Sequence, residues 1–263
     1  MNEQRAPGGI GWTRPWGRPG YTANPIRGCL HGCEWRMPDG TIARCYAGDL
    51  ARGLAKAAYP HGFEHLSFHP EELGEISKRK TPSGIFIDSM SDMYGQKVPA
   101  GWISEVATTI HENPQHEIFS LTKNSFRLKE FSPMPANQWV GISSPPTFMF
   151  GKELSLDRQR TWFKKAMENL MNCECHIRWV SFEPLSIELS DIICSFPPLD
   201  WAVIGAASNG PRTFQPDREA LAKMLAVLKC PIYFKENLDR KLAFEVAGSW
   251  RQEFPSESLI RQP

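Results

Sequence analysis

No apolar run in the sequence approaches the ~20 residues that a bilayer-spanning helix needs. The first twenty residues, rich in Gly, Pro, Arg and Trp, lack the apolar stretch of a signal peptide. Net charge is nearly absent too. The 30 basic and 29 acidic side chains leave +1, which excludes a global field pulling the chain onto nucleic acid or an anionic membrane and leaves only local grooves. Internal repeats and low-complexity tracts are missing. Cysteine is scarce and odd in number, seven in all, which in a reducing compartment reads as a metal site plus buried thiols and not as a disulfide framework. Together these absences lead to the expectation of a cytoplasmic protein, independent of membranes, whose 263 residues, 41% hydrophobic, fold as one domain.

What is present is a series of short β-rich runs: "GIFIDSMSD" (84–92), "HEIFSLTKN" (116–124), "QWVGISS" (138–144), "IRWVSFEPL" (177–185), "DWAVIGAAS" (200–208) and "PIYFKEN" (231–237). Their apolar parts are nearly continuous, as strands of a parallel sheet buried on both faces require. A further strand is expected around Asn24 to Arg27, weakened by Pro25. Helical spacing fills the intervals at 101–114, 158–172 and 217–230, where Leu221, Met224, Leu225 and Leu228 form one stripe. A further helix is expected from Asp49 to about Ala58, followed by an excursion over about 59–82. Strand and helix in alternation predict an α/β fold with a parallel sheet of six to seven strands.

The ends of those strands share a chemistry. Asp88, Ser89, Ser91 and Asp92 close one run, Lys123 and Asn124 another, Ser143 and Ser144 a third, Glu183 a fourth, Ser208 and Asn209 a fifth, and Lys235 and Glu236 the last. In a (β/α) barrel the loops after the strands converge on one rim above a packed interior. Any one of these groups could be a helix cap or a rim ion pair; together they predict a functional rim.

Three cysteines cluster in "RGCLHGCEWRMPDGTIARCYAG" (27–48): Cys29 and Cys33 stand in C-x3-C spacing, and Cys45 follows after eleven intervening residues. Structural zinc sites favour C-x2-C or C-x4-C with a second pair completing a tetrahedron. A C-x3-C loop can instead wrap a [4Fe–4S] cube, and three thiolates leave one iron open to an amine and carboxylate such as those of S-adenosylmethionine. Gly28 and Gly32 give the backbone room around it. The zinc reading, with Cys29, Cys33, Cys45 and His31 as ligands of a non-catalytic binding protein, is the alternative.

The order Trp12-Thr13, Asn24-Pro25, Gly28-Cys29, Gly32-Cys33, Cys45-Tyr46-Ala47 resembles the phage-associated Gp37/Gp68 family, a domain of unknown function with a radical-SAM-like three-cysteine motif. "DSMSDMY" (88–94), "LTKN" (121–124), "WVGIS" (139–143), "VSFEPL" (180–185), "DWAVIGAASNGPR" (200–212) and "PIYFKE" (231–236) continue the resemblance along nearly the whole chain. It implies a single domain over 1–263, a partial or near-complete (β/α) barrel with its cluster loop at 28–46. It also implies a [4Fe–4S] cluster on Cys29, Cys33 and Cys45, and S-adenosylmethionine as cofactor. An electron donor such as a flavodoxin or ferredoxin follows as a partner, with reductive cleavage to a 5′-deoxyadenosyl radical as the reaction. In that frame Ser89 and Ser91 are expected at the cofactor's amino and carboxylate groups, Ser143 and Glu183 at its ribose, and Tyr46 near adenine. Asp92, Lys123 and Lys235 are then expected to face a polar or anionic substrate. Two departures stand out: family members usually have a short spacing where this chain inserts "EWRMPDGTIAR", and a Gly-Gly-Glu-Ser block appears here as Gly205-Ala206-Ala207-Ser208. The turn-like Pro38-Asp39-Gly40 predicts that the insert folds back to return Cys45.

Other features carry blander expectations. Cys173 and Cys175 in "CEC" would share a side if extended, but a helix end is more natural there than a second metal; Cys194 and Cys230 are expected in the core. His61, His65 and His69 recur every four residues, yet Pro60, Gly62 and Pro70 argue against a helix that would align them. Trp12, Trp16 and Trp35 beside Arg14, Arg18 and Arg27 could stack nucleobases, so nucleic acid is a minority substrate expectation; covering the barrel explains them equally well.

Overall fold

In the computed structural model, which describes residues 1–5, 8–37, 39–209 and 212–257, all six apolar runs contain the strands expected of them. Eight strands lie side by side in chain order: β1 (Asn2–Glu3), β2 (Gly20–Ala23), β3 (Gly84–Ile87), β4 (Glu117–Thr122), β5 (Gln138–Ser143), β6 (Ile177–Phe182), β7 (Trp201–Ile204) and β8 (Ile232–Phe234). Strands β2 to β8 pair in parallel, and β1 adds an antiparallel edge. The sheet is open and strongly curled, a half-barrel with flanking helices. Its β8 edge is covered by the chain near 251–253, where Phe234 N–H donates to Arg251 O at 2.7 Å and Glu253 N–H to Ile232 O at 3.0 Å.

The helices are α1 (Tyr46–Arg52), α2 (Pro70–Lys78), α3 (Ala100–Glu112), α4 (Leu156–Met171), the single turn α5 (Ser190–Ile193), α6 (Arg218–Val227) and α7 (Arg240–Ala247). Ile103, Val106 and Ile110 of α3, Phe163, Met167 and Leu170 of α4, and Leu221 and Met224 of α6 share one core with Ile85, Ile118, Val140, Val180 and Ile204 of the sheet. The continuous apolar runs follow from this: alternate residues of each strand face the helices, and the others face the concave side.

The concave side is layered. Trp139, Trp179 and Trp201, all fully buried, project from β5, β6 and β7, and Trp12 plugs the space between them from an N-terminal turn at Gly11–Thr13. Ring centroids lie 5.2 Å apart for both Trp12–Trp179 and Trp179–Trp201. Two residues further along, the same face carries Gly141, Ser181 and Val203. A Cβ on Gly141 would stand 2.4 Å from the Trp179 ring, so only glycine lets that indole lie across β5. Above this aromatic floor the side chains shorten and a cavity opens.

Several expectations need correction. The first parallel strand is Gly20–Ala23, upstream of Asn24–Arg27; Pro25 has no N–H for the ladder, and Ile26–Arg27 turns away to pair with Ser67–Phe68. The helix expected from Asp49 to Ala58 begins earlier, at Tyr46, and stops at Gly53, followed by a short 3₁₀ turn at Lys56–Ala58. Cys194 is exposed, since α5 is too short to bury its C-terminal flank. The His61 and His65 rings lie 5.1 Å apart, but His69 turns off to Ser67 and Glu71. No described helix is long and apolar enough to cross a membrane.

Candidate cofactor site

The cavity above the aromatic floor has a volume of about 830 Å³, and Cys29, Cys33, Cys45, Tyr46, Ser89, Ser91, Asp92, Lys123, Ser143, Glu183 and Lys235 all line it. Every residue that the sequence singled out for ligand, cofactor or substrate contact therefore meets at one place, the end where β2 to β8 stop.

The cluster loop is held from both sides. Gly28 has φ +89°, and a Cβ there would stand 2.2 Å from the His65 carbonyl oxygen, so the excursion after α1 presses directly on the loop. The neighbouring Cys29 N–H donates to Phe63 O at 2.8 Å. On the other side the eleven-residue insert is a β-hairpin, Glu34–Arg36 against Ile42–Arg44, with Glu34 opposite Arg44 and Arg36 opposite Ile42. Its ladder ends in the cysteines: Cys45 N–H donates to Cys33 O at 3.0 Å. The insert thus makes Cys33 and Cys45 cross-strand neighbours; of the expected turn residues, Pro38 lies outside the described residues. Phe148–Met149 and Lys152–Glu153 extend the hairpin to a four-stranded sheet, and Ala207 packs beside Cys33 and Trp35 beneath it.

Burial pushes the Cys29 thiol up, reinforced by the Asp92 carboxylate, and pushes Cys33 up to about 12, opposed by the Lys123 ammonium. Thiols in such surroundings become thiolates on binding a metal, which supplies the missing positive charge. Among the described residues no three His, Cys, Asp or Glu side chains are arranged to hold a single metal ion. Cys29, Cys33 and Cys45 nonetheless line one cavity.

The turn after β3 is tied down by Asn24, whose Oδ1 accepts from Met90 N–H at 2.8 Å and from Ser89 Oγ–H at 3.1 Å. Ser89 O in turn accepts the Tyr46 O–H at 2.8 Å. Asp88, buried and with φ +59°, uses Oδ1 to accept from Ile26 N–H at 2.9 Å, while its Oδ2 and the Ser91 Oγ are buried without a partner among the described residues. Burial raises the Asp88 carboxyl well above the usual range.

Asp92 lines the cavity as a buried side chain with both carboxylate oxygens engaged. Its Oδ1 accepts from Thr122 Oγ1–H (2.7 Å) and Tyr94 N–H (3.0 Å), its Oδ2 from Lys123 N–H (2.8 Å), and His31 Nδ1 stands 3.4 Å away. It is a buried brace between the cluster loop and the ends of β3 and β4. Lys123 is the opposite case: Nζ donates to Ser143 Oγ at 2.9 Å and lies 5.5 Å from the Trp35 ring centroid, with no described carboxylate at ion-pair distance. Lys235 is paired with Glu183, whose Oε1 also accepts from Ser181 Oγ–H at 3.2 Å. Glu183 therefore makes a rim ion pair, the alternative open to any of the strand-end groups, with Lys235 as its partner.

Among the other lining residues are Asn24, to which the sequence assigned no contact, and Glu236, read there only as a strand end. Asn24 organises the serine turn, and Glu236, accepting the Tyr233 O–H at 2.9 Å, reaches the cavity from β8. Both end strands, and that position was the available signal. Trp12 and Trp35 are buried and offer no stacking platform for bases; Trp16 lies under Arg18 and donates to Pro255 O at 3.0 Å.

No curated protein matches the sequence. Among solved structures the chain is similar to spore photoproduct lyase. A cysteine-to-serine mutant of that enzyme aligns with TM-score 0.47 and 9% identity over 86% of this chain and 66% of the lyase. Its complex with dinucleoside spore photoproduct gives 0.46 and 10% over 85% and 64%. A mutant with bound AdoMet and dinucleoside spore photoproduct gives 0.46 and 10% over 95% and 66%. The chain thus spans just under two thirds of the lyase's length. The family described as "Protein of unknown function (DUF5131)" is matched over residues 9–237, most of the half-barrel and all of the cavity's cysteines, and the chain belongs to that family.

Proposed function

We propose that this protein is a radical S-adenosylmethionine enzyme, with Cys29, Cys33 and Cys45 holding a [4Fe–4S] cluster and the cofactor bound beside it in the same cavity. The observation that carries this reading is the hairpin that returns Cys45 to Cys33 at the mouth of a cavity lined by polar strand ends. Bound there, cluster and cofactor would supply a 5′-deoxyadenosyl radical by reductive cleavage of the sulfonium, with the electron coming from a flavodoxin- or ferredoxin-type donor.

The chain's own residues do the positioning. The three thiols leave one iron without a protein ligand, and Ser89 and Ser91, on the turn braced by Asn24, suit the cofactor's amino and carboxylate groups. Ser143, Glu183 and Tyr46 suit the ribose and adenine ends. The aromatic floor excludes water from below, which prolongs the life of a reactive species. Lys123 presents an ammonium that lacks a carboxylate partner among the described residues, and a substrate with an anionic or strongly accepting group would satisfy it. Glu183 and Lys235 balance each other and contribute shape and hydrogen bonds more than net charge.

The test is anaerobic reconstitution with iron and sulfide. The expected product is brown, with about four irons per chain and broad absorbance near ~400 nm, and its reduced electron paramagnetic resonance signal changes when S-adenosylmethionine is added. Replacing any of Cys29, Cys33 or Cys45 with Ala abolishes the colour, whereas replacing Cys194 or Cys230 does not. Stoichiometric zinc without iron would overturn the proposal in favour of a structural metal site.

A further inference from the structure

A second recess, of about 140 Å³, opens between the cluster loop, the turn after β3 and Phe150, with Leu30, Leu66, Gln96, Lys97 and Val98 in its lining. Cys29, His31 and Asp92 line both this recess and the cofactor cavity, so a single layer of side chains divides the two. The recess is preformed. Arg127 Nη1 donates to Gly95 O at 2.7 Å and to Val98 O at 2.8 Å, which fixes one wall. Phe150 N–H donates to His31 O at 2.6 Å, and its ring meets the His31 ring edge-on with centroids 5.2 Å apart, which fixes another. Phe150 is an unexpected residue for its place. The two-residue turn Phe150-Gly151, joining Phe148–Met149 to Lys152–Glu153, has φ +53° and +70°, values at which Asn or Asp is favoured in the first position and a bulky side chain is strained. The turn keeps an aromatic there although it is half exposed, and Leu30, also exposed, stands at the same rim. Lys97 is exposed beside them, and the exposed Lys152 follows Phe150 by two residues. Among the described residues neither lysine has a carboxylate at ion-pair distance, whereas Glu130 and Glu153 are taken up by Arg127 and Arg36.

We propose that this recess is the docking face for a small acidic protein of the flavodoxin type, which delivers electrons through the Cys29 wall, an inference that rests on the iron–sulfur reading of Cys29, Cys33 and Cys45. The apolar edge of a flavin fits the rim made by Leu30 and Phe150, and carboxylates around that edge meet Lys97 and Lys152. Cys29, exposed to both sides of the dividing layer, brings a cluster within one side chain of the donor without opening the cofactor cavity to water. One electron leaves the anionic flavin hydroquinone, which becomes the neutral semiquinone, and enters the cluster, whose charge falls by one. No bond breaks and no proton moves. Redox partners bury little surface and part quickly, as a small recess flanked by two lysines permits.

The experiment follows reduction of the anaerobically reconstituted full-length protein by stopped-flow absorbance, with reduced flavodoxin as the probe and photoreduced deazariboflavin, a small uncharged reductant, as the reference. Reversing both charges, Lys97→Glu with Lys152→Glu, should lower the second-order rate constant with flavodoxin about tenfold at low salt, a gap that narrows as salt rises. Calorimetric titration with oxidised flavodoxin should show the matching loss of affinity, while iron content, melting temperature and reduction by deazariboflavin stay at wild-type values. Phe150→Asn supplies the residue that the turn favours, so it should keep or raise the melting temperature and still slow flavodoxin. Lys223→Glu, the same reversal on α6, should change neither rate. Wild-type flavodoxin rates in both recess variants would overturn the inference and leave the cluster standing, as would a wild-type cluster that deazariboflavin reduces and flavodoxin does not. A chain that takes up no iron overturns the reading of the three cysteines, and this inference with it.

Discussion

The lower and upper halves of the same strands are built on opposite rules. Along β6, Trp179 is buried among Trp12, Trp139 and Trp201 with its indole N–H donating to Trp139 O at 3.1 Å, while two and four residues on, Ser181 and Glu183 line a cavity. Along β5 the succession is Trp139, Gly141, Ser143. Below, volume is filled, and the indole N–H groups of Trp139, Trp179 and Trp201 are bonded, while among the described residues that of Trp12 has no partner. Above, an ammonium, a buried carboxyl oxygen and a serine hydroxyl are left without full partners. A fold gains nothing from such leftovers; the contacts proposed above for cofactor and substrate would complete those at the cavity.

Four substitutions would break or sharpen that contrast. The largest effect is expected from Trp179→Ala, which opens a void in the floor and should cost ~3–5 kcal/mol of stability, read by denaturant unfolding. Gly141→Ala should cost less, ~1–3 kcal/mol, because its Cβ would overlap the Trp179 ring and force that side chain to shift. Lys123→Met, at the cavity, should leave the melting temperature unchanged or slightly raised while weakening cofactor or substrate binding by about tenfold, the loss of one charge-assisted hydrogen bond. Calorimetric titration checks this; a fall in stability comparable to that of Trp179→Ala would erase the distinction between the two halves. The smallest effect is expected from Asp88→Asn. The native carboxyl holds its proton above the pH at which the unfolded one releases it, so this group's contribution to stability is complete below about pH 4 and is lost as pH rises towards the raised native value. Asn keeps the acceptor for Ile26 N–H and tolerates positive φ, so its unfolding free energy should stay flat where the wild type declines, measured from pH 5 to 9.

Much of this was legible in the sequence, for identifiable reasons. Runs such as Ile85-Phe86-Ile87 and Ala202-Val203-Ile204 announce themselves because both faces are buried, and polar residues just past such runs must share a rim when the strands are parallel. The convergence of Ser89, Ser91, Asp92, Lys123, Ser143, Glu183 and Lys235 on one cavity follows from those two facts, while the cysteines and Tyr46 reach it through the hairpin and its loop. Harder to read was whatever depended on partners distant in sequence. Asn2–Glu3 has no apolar pattern, and it becomes a strand only because β2 offers an edge. Asp92 looked available until Thr122, Tyr94 and the Lys123 backbone used its oxygens. Trp12 was read as either a base-stacking platform or a cover for the barrel, and it fills the floor, since the turn at Gly11–Thr13 lies beneath β2 and β3. Pro25 signalled the end of a strand, and the strand had in fact already ended at Ala23.

The hairpin between the second and third cysteines changes what spacing means at this site. When two ligands are joined by a short loop, the number of intervening residues fixes their distance. Here a hydrogen-bonded ladder fixes it, from Glu34 opposite Arg44 through Arg36 opposite Ile42, and the count becomes a matter of parity. Adding or removing one residue from each strand lengthens or shortens the ribbon and leaves Cys33 facing Cys45. Adding a single residue to one strand slips the register, and every side chain beyond it changes face. Ligand motifs of this kind are therefore free to drift in length by twos while the geometry at their base stays fixed, and a search for a constant interval between cysteines would pass over them.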